Sequence, residues 1–204
     1  MSDDFERISS FYDELAAEHH TGPLALDYGS VASQLRRFAV LSQVVDFSGR
    51  RVLDVGCGLA DYADYLQGRF ADVEYEGIDL SPALIEHARE RRPDLNLRVA
   101  NVLDDEIEGP YDVVHALGIF YLLGDDAPEI MRRLIKRMWN LARVAVAISA
   151  LSTWAPERYE QEFQADPAET LAFCRSLSPT PWIVLRHDYM PHDFTLFLYR
   201  EQQS

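Results

Sequence analysis

Basic residues are scarce in this chain: 19 lysines and arginines stand against 34 aspartates and glutamates, a formal charge of −15 with the six histidines neutral. Nucleic acid and anionic membrane surfaces bind by releasing counterions to a basic patch, so neither is expected as a partner. Cysteine is rarer still, with only Cys57 and Cys174, far apart. Two distant thiols make no disulfide framework, and the opening MSDDFERISSFYDEL is acidic and amphipathic instead of basic then apolar. A reduced, cytoplasmic protein without a signal peptide is expected. No apolar run approaches the roughly eighteen residues of a membrane span, and there is no repeat, low-complexity tract or linker.

What is present is ordinary globular composition, 48% apolar and 26% charged over 204 residues, enough for one full core. A single domain over residues 1–204 is expected. Apolar residues recur at helical spacing through Phe5, Ile8, Phe11, Tyr12 and Leu15, and again through Val31, Leu35, Phe38, Leu41 and Val45. That predicts two helices within residues 1–48, joined by EHHTGPLALDYGS, a loop able to fold over a ligand. Short β-rich runs then alternate with longer amphipathic ones: RVLDVG (51–56), VEYEGIDL (73–80), NLRVAN (96–101), YDVVHALG (111–118) and VAVAISAL (144–151). The alternation predicts a parallel sheet. Ser81 and Asp166, each followed by proline, supply helix N-caps. The last runs, WIVLRHDYM and FTLFLYR, are separated only by Pro191, His192 and Asp193. No crossover helix fits there, so they must pair antiparallel. The expected fold is α/β, a doubly wound seven-stranded sheet, mostly parallel, ending in an antiparallel hairpin and preceded by two helices.

In such a sheet a ligand sits beyond the carboxyl ends of the strands, near the first strand. That points to Asp54-Val55-Gly56-Cys57-Gly58, where the two glycines permit a tight turn and close approach to the backbone. A dinucleotide fingerprint G-x-G-x-x-G would need glycine in place of Asp61, whose carboxylate would repel a pyrophosphate. Asp79 ends the second β-run, 79 − 58 = 21 residues past Gly58, where an acid accepts hydrogen bonds from ribose hydroxyls. The pattern fits a ligand with a ribose but no phosphate in the glycine turn.

VLDVGCGLADYADYL, YEGIDLSPALIEHAR and YDVVHALGIFYLL together resemble the motifs of class I S-adenosylmethionine-dependent methyltransferases, of the bacterial small-molecule, methyltransferase-domain 25-like branch, from about residue 50 to 200. The family's usual third glycine is Ala60 here. The resemblance implies a Rossmann-like core over 49–204, with 1–48 as a helical lid, and S-adenosylmethionine as cofactor. It implies that Asp54, Gly56 and Gly58 face the methionine part, that Cys57 packs beneath the cofactor, and that Asp79 binds the ribose hydroxyls with Leu80 beside the adenine. Asn101, followed by Val102 and Leu103, stands where an acid commonly meets the adenine amino group, a bond its carbonyl oxygen can also accept. Ala116 would lie near the methionine amine.

Methyl transfer is an in-line displacement on a sulfonium and profits from a lid that excludes water. Tyr12, Tyr28, Gln34 and Arg37 are the lid candidates: aromatic faces favour the sulfonium, and an arginine can hold a carboxylate bidentately, although Arg37 beside Arg36 also reads as a solvated face. Tyr121 is the candidate acceptor-facing group, its hydroxyl orienting or relaying a proton, with a core tyrosine as the alternative. In LSTWAPERYEQEFQADP, Trp154, Tyr159 and Phe163 either line an acceptor pocket or pack the loop. The histidines show no metal-ligand spacing, so no metal is assigned.

The expected activity is methyl transfer from S-adenosylmethionine to oxygen or nitrogen of a small acceptor, sugar-like or a secondary metabolite, releasing S-adenosylhomocysteine. Two other readings stay open: non-methylating chemistry on the same bound sulfonium, and a non-catalytic interaction subunit with a vestigial cofactor site.

Overall fold

The computed structural model describes residues 3–157, 161–177 and 182–202. Helix α1 (Asp3–His19), a 3₁₀ turn (Pro23–Leu26) and α2 (Val31–Leu41) precede β1 (Arg51–Val55), α3 (Asp61–Gln67), β2 (Glu74–Asp79), α4 (Pro82–Arg91), β3 (Asn96–Val99) and β4 (Tyr111–Leu117). Then come α5 (Ala127–Leu141), β5 (Ala142–Leu151), α6 (Pro167–Leu177), β6 (Ile183–Arg186) and β7 (Asp193–Tyr199). The seven-stranded sheet has the order β3-β2-β1-β4-β5-β7-β6, with β7 antiparallel to both its neighbours and every other pair parallel. Strand order reverses between β1 and β4, which opens a crevice at their carboxyl ends.

Helix starts obey local chemistry. Ser30 Oγ accepts from the Ser33 N–H at 3.1 Å, Ser81 Oγ accepts from the Leu84 N–H at 3.1 Å, and Asp166 Oδ1 accepts from Ala168 and Glu169 at 2.8 and 2.9 Å. Each cap satisfies N–H groups that have no partner inside the helix. The central strands are buried on both faces, so neighbours along the chain such as Val52 and Leu53, Val113 and Val114, and Ala145 and Val146 are both apolar and both buried. One face packs on α5 through Ile130, Leu134, Ile135 and Met138, the other on α2 and α3 through Phe38, Leu41, Tyr62 and Leu66. Burying each large side chain contributes about 1.5–3 kcal/mol.

Helix α1 is fastened across the carboxyl ends. Asp13 Oδ1 accepts from Ser81 Oγ at 2.5 Å and the Ala83 N–H at 3.2 Å, Ser9 Oγ donates to the Leu80 carbonyl at 2.9 Å, and Arg7 donates to the Leu122 carbonyl at 2.5 Å. Phe5 and Ile8 are buried beneath it. Among the described residues no helix is long and apolar enough to cross a membrane.

The terminal hairpin differs from the expectation in its connection, which runs over residues 187–192 because β6 stops at Arg186 and Asp193 already belongs to β7. Arg186 forks onto Asp188 at 2.7 and 3.0 Å, which turns the chain. The Tyr189 hydroxyl then lies within 3.2 Å of Ser149 Oγ and 2.9 Å of Thr195 Oγ1, laying the connection over β5 and β7. The front loop also contains a 3₁₀ turn, started by Pro23 and closed by Asp27 in a left-handed conformation (φ 56°).

Candidate active site

A cavity of about 620 Å³ lies at the carboxyl ends of β1, β2, β4 and β5, under α1, the 3₁₀ turn and α2. Its floor is the turn after β1. Gly56 and Gly58 have φ of +79° and +52°, where a Cβ would be strained, and a Cβ on Gly56 would stand 2.3 Å from Ile119 Cγ2. The Gly56 and Cys57 N–H groups both donate to the Ile78 carbonyl, at 2.8 and 3.0 Å, so the turn wraps back onto β2. Asp79 completes the wrap: its Oδ2 accepts from the Gly58 N–H at 2.8 Å and its Oδ1 from the Ser81 N–H at 3.0 Å. Burial pushes the Asp79 pKa up, partly offset by those N–H bonds, which favour the charged form.

Asp54 and His115 face the same cavity from β1 and β4. The Tyr75 hydroxyl donates to Asp54 Oδ2 at 2.5 Å, and Asp54 Oδ1 lies 3.2 Å from His115 Nδ1. Burial pushes Asp54 up to about 7 and His115 down to about 3, so the imidazole is neutral at neutral pH. Both His115 ring nitrogens and the Tyr62 hydroxyl are buried without an aligned hydrogen-bond partner among the described residues. Buried polar atoms left open along a cavity wall call for a polar ligand.

On the lid side the Tyr12 and Tyr121 hydroxyls are 3.0 Å apart, and Tyr121 donates to Asp27 Oδ2 at 2.8 Å. Burial raises the pKa of both phenols far enough to keep them protonated. Arg37 stands over the Tyr28 ring, 5.5 Å from its centroid, and pairs through Nε with Asp193 Oδ2 at 2.6 Å. Gln34 Nε2 donates to Asp61 Oδ2 at 3.2 Å. Asn101 spends one carbonyl lone pair on the Leu103 N–H at 3.0 Å and its amide on Asp104 at 2.9 Å, leaving the second lone pair open.

The cavity therefore brings together Asp54, Gly56, Cys57, Gly58, Asp79, Leu80, Asn101, Val102, Tyr12, Tyr28, Gln34, Arg37 and Tyr121. Other expected residues do not line it. Ala116 faces away because side chains alternate along a strand, so its neighbours His115 and Leu117 line the cavity while it packs in the α5-side core. Leu103 lies one turn beyond Asn101 and packs against that same core. Trp154 is exposed and stacks on His187 with centroids 5.4 Å apart, and Phe163 lines a separate cavity of about 190 Å³ with Met131 and Phe173. Tyr159 is outside the described residues. Sequence reasoning passed over Asp27, Tyr75, Glu162 and Asp193, whose positions arise from contacts between distant segments; the αL turn chemistry at Asp27 was the one local signal.

Residues 53–142 match the model of a family described as a methyltransferase domain. Trans-aconitate 2-methyltransferase of Methylobacterium radiotolerans is 32% identical over 157 residues, covering 70% of this chain and 58% of that protein. Malonyl-[acyl-carrier protein] O-methyltransferase 1 of Ilyobacter polytropus is 28% identical over 126 residues, covering 55% of this chain and 47% of that protein. The fold superposes on the magnesium protoporphyrin IX methyltransferase of Synechocystis PCC 6803, solved with bound S-adenosylmethionine, at a TM-score of 0.73, 16% identity and coverage of 98% and 99% of the two chains. Residues 53–142 thus resemble a methyltransferase domain, set in a chain that shares its fold with a solved S-adenosylmethionine-bound methyltransferase. The chain spans about half the length of these curated methyltransferases. The matched methyltransferase segment contains Asp54, the glycine turn, Asp79, His115 and Tyr121, while Asp27, Arg37, Glu162 and Asp193 lie outside it.

Proposed function

We propose that this chain moves the methyl group of S-adenosylmethionine to nitrogen or oxygen of a small-molecule acceptor. The observation that carries the reading is the pairing of Asp54 and Asp79 at the glycine turn: two buried carboxylates with no Lys or Arg partner among the described residues, beside orphaned polar atoms of His115 and Tyr62. A ligand bearing an ammonium, a ribose diol and no phosphate satisfies that donor and acceptor set. Asp79 would hold the ribose hydroxyls, Asp54 would face the amino group, and Leu80, Asn101 and Val102 would enclose the adenine. Arg37 and Tyr28 would meet the methionine carboxylate. When bound, S-adenosylmethionine supplies a methyl on a sulfonium, which a nucleophile displaces to leave S-adenosylhomocysteine.

The rest of the work falls to the chain. Residues 1–48 act as the lid in this reading, since α1 is fastened over the crevice and its buried Phe5 and Ile8 exclude water. The Tyr12, Tyr121 and Asp27 chain orients the acceptor. Charge of −15 argues for a small-molecule acceptor over nucleic acid or a membrane surface, and the two buried free thiols fit a cytoplasmic location. Of the curated relatives, the trans-aconitate 2-methyltransferase is named for a small acceptor and supports one here, while the malonyl-[acyl-carrier protein] O-methyltransferase is named for a malonyl group carried on a protein. Calorimetric titration with S-adenosylmethionine, S-adenosylhomocysteine and NAD tests the proposal: micromolar binding of the first two alone is expected. Absence of binding, or preference for NAD, overturns it in favour of a vestigial site.

A further inference from the structure

We infer that the acceptor is an amine that enters as a cation, and that the cavity mouth discriminates against carboxylates. This deepens the methyltransferase reading and rests on it. Asp27 and Glu157 are exposed at the mouth and Glu162 is half-buried beside them. The Phe163 N–H donates to the Tyr121 carbonyl at 2.8 Å, which pins the Glu162 segment next to the Tyr12, Tyr121 and Asp27 chain. Of the lysines and arginines among the described residues, only Arg37 lines the cavity, and it stands with Asp193, 2.6 Å away, at the end assigned above to the methionine carboxylate, so no guanidinium is left for an acceptor. A carboxylate arriving here meets three acids and no spare guanidinium, in the field of a chain at −15.

Two further features favour a cation with N–H donors. Tyr12, Phe120 and Tyr121 line the cavity, and aromatic rings attract ammonium groups. Gln164 Oε1, which can only accept, is buried along the same wall without a hydrogen-bond partner. Burial, then the charge of Asp27, raises the Glu162 pKa, against an opposing effect of His192 on the same cavity wall.

An ammonium has no lone pair and must lose a proton before it is a nucleophile. The N–H bond breaks with its electron pair staying on nitrogen, and the proton passes to the Tyr121 oxygen as Tyr121 gives its own proton to Asp27 Oδ2, 2.8 Å away. Tyr121 is never ionised in this exchange, consistent with its raised pKa. Asp27 is exposed and releases the proton to water.

The test uses the full chain saturated with S-adenosylhomocysteine and matched probes of one shape: benzylamine, benzyl alcohol and benzoate, with trans-aconitate as a polycarboxylate. Ligand-observed NMR titration reads binding, and mass spectrometry with S-adenosylmethionine reads methylated amine. Benzylamine is expected to bind at least about tenfold more tightly than benzoate or trans-aconitate. Asp27→Asn, which keeps a residue comfortable in the left-handed region, and Glu162→Gln should each erode that preference about threefold or more while S-adenosylhomocysteine affinity stays unchanged. Equal or tighter binding of the carboxylates, no binding of the amine, or a preference indifferent to both substitutions overturns the inference. Failure of the wild-type chain to bind S-adenosylhomocysteine overturns the methyltransferase reading instead, so the two failures are distinguishable.

Discussion

Asp54 and His115 are register partners on the adjacent parallel strands β1 and β4, and the carboxylate Oδ1 lies 3.2 Å from the imidazole Nδ1. Desolvation favours the neutral form of each, so the same cause moves their pKa values in opposite directions, Asp54 from 3.8 up to about 7 and His115 from 6.5 down to about 3. The pair is a buried acid and a buried base that both resist charging.

That relationship has a signature in stability. Folded Asp54 keeps a proton that the unfolded chain loses between pH 3.8 and about 7, so its contribution falls as pH rises through that window. Folded His115 lacks a proton that the unfolded chain holds between about pH 3 and 6.5, so its contribution rises with pH. The slopes oppose each other where the windows overlap. Asp54→Asn removes one of them, and urea unfolding at pH 4.5 and 6.5 should show the variant gaining stability with pH relative to wild type, by at most about 1.4 kcal/mol per pH unit. Parallel pH profiles for the two proteins would contradict the shifted values.

Asp79→Ala deletes the acceptor for the Gly58 and Ser81 N–H groups as well as the proposed ribose contact. Affinity for S-adenosylhomocysteine should fall by about 2–3 kcal/mol, roughly 30- to 150-fold, in calorimetry on a variant whose circular dichroism matches wild type. Unchanged affinity in the folded variant would remove Asp79 from the site.

Ala60 sits at φ +59° as the N-cap of α3, fully buried, in a conformation that costs a residue with a Cβ about 1–2 kcal/mol. Ala60→Gly relieves that strain and loosens the unfolded chain, so a net gain of about 0.5–1 kcal/mol is expected from denaturant midpoints. A loss would mean that the Ala60 methyl contributes more through packing than it costs in strain.

The Arg37–Asp193 pair ties α2 to the first residue of β7 with side chains only 13% and 3% exposed. Asp193→Ala strands the guanidinium and should destabilise the protein by about 3–5 kcal/mol, whereas the joint replacement Arg37→Met with Asp193→Leu should recover much of that loss. Hydrogen exchange over residues 31–41 should accelerate in the single variant if the pair anchors the lid side; exchange unchanged there would show that α2 is held by its apolar face alone.

The features legible in the chain were the short-range ones. Ser81 and Asp166 cap helices through bonds to N–H groups two or three residues away, and the glycine turn needs only its own dihedral angles. Asp79 was found by spacing, because a βα unit has a nearly constant length. The alternation of β-rich and amphipathic runs determined a mostly parallel sheet, and the absence of room for a crossover determined the final hairpin.

What the tertiary structure decided is phase and partnership. A strand's period of two is visible in sequence, but which phase faces the cavity depends on the helices that cover each face, and that placed His115 at the site and Ala116 in the core. Likewise an aromatic loop residue has no address until the loop folds, so Trp154 went to solvent and Phe163 to a second cavity. The partners of Arg37 and Tyr121, Asp193 and Asp27, stand 156 and 94 residues away along the chain. Local sequence sets dihedral preferences and periodicity; the choice among distant charges is made only when packing brings them within hydrogen-bond reach and strips them of water.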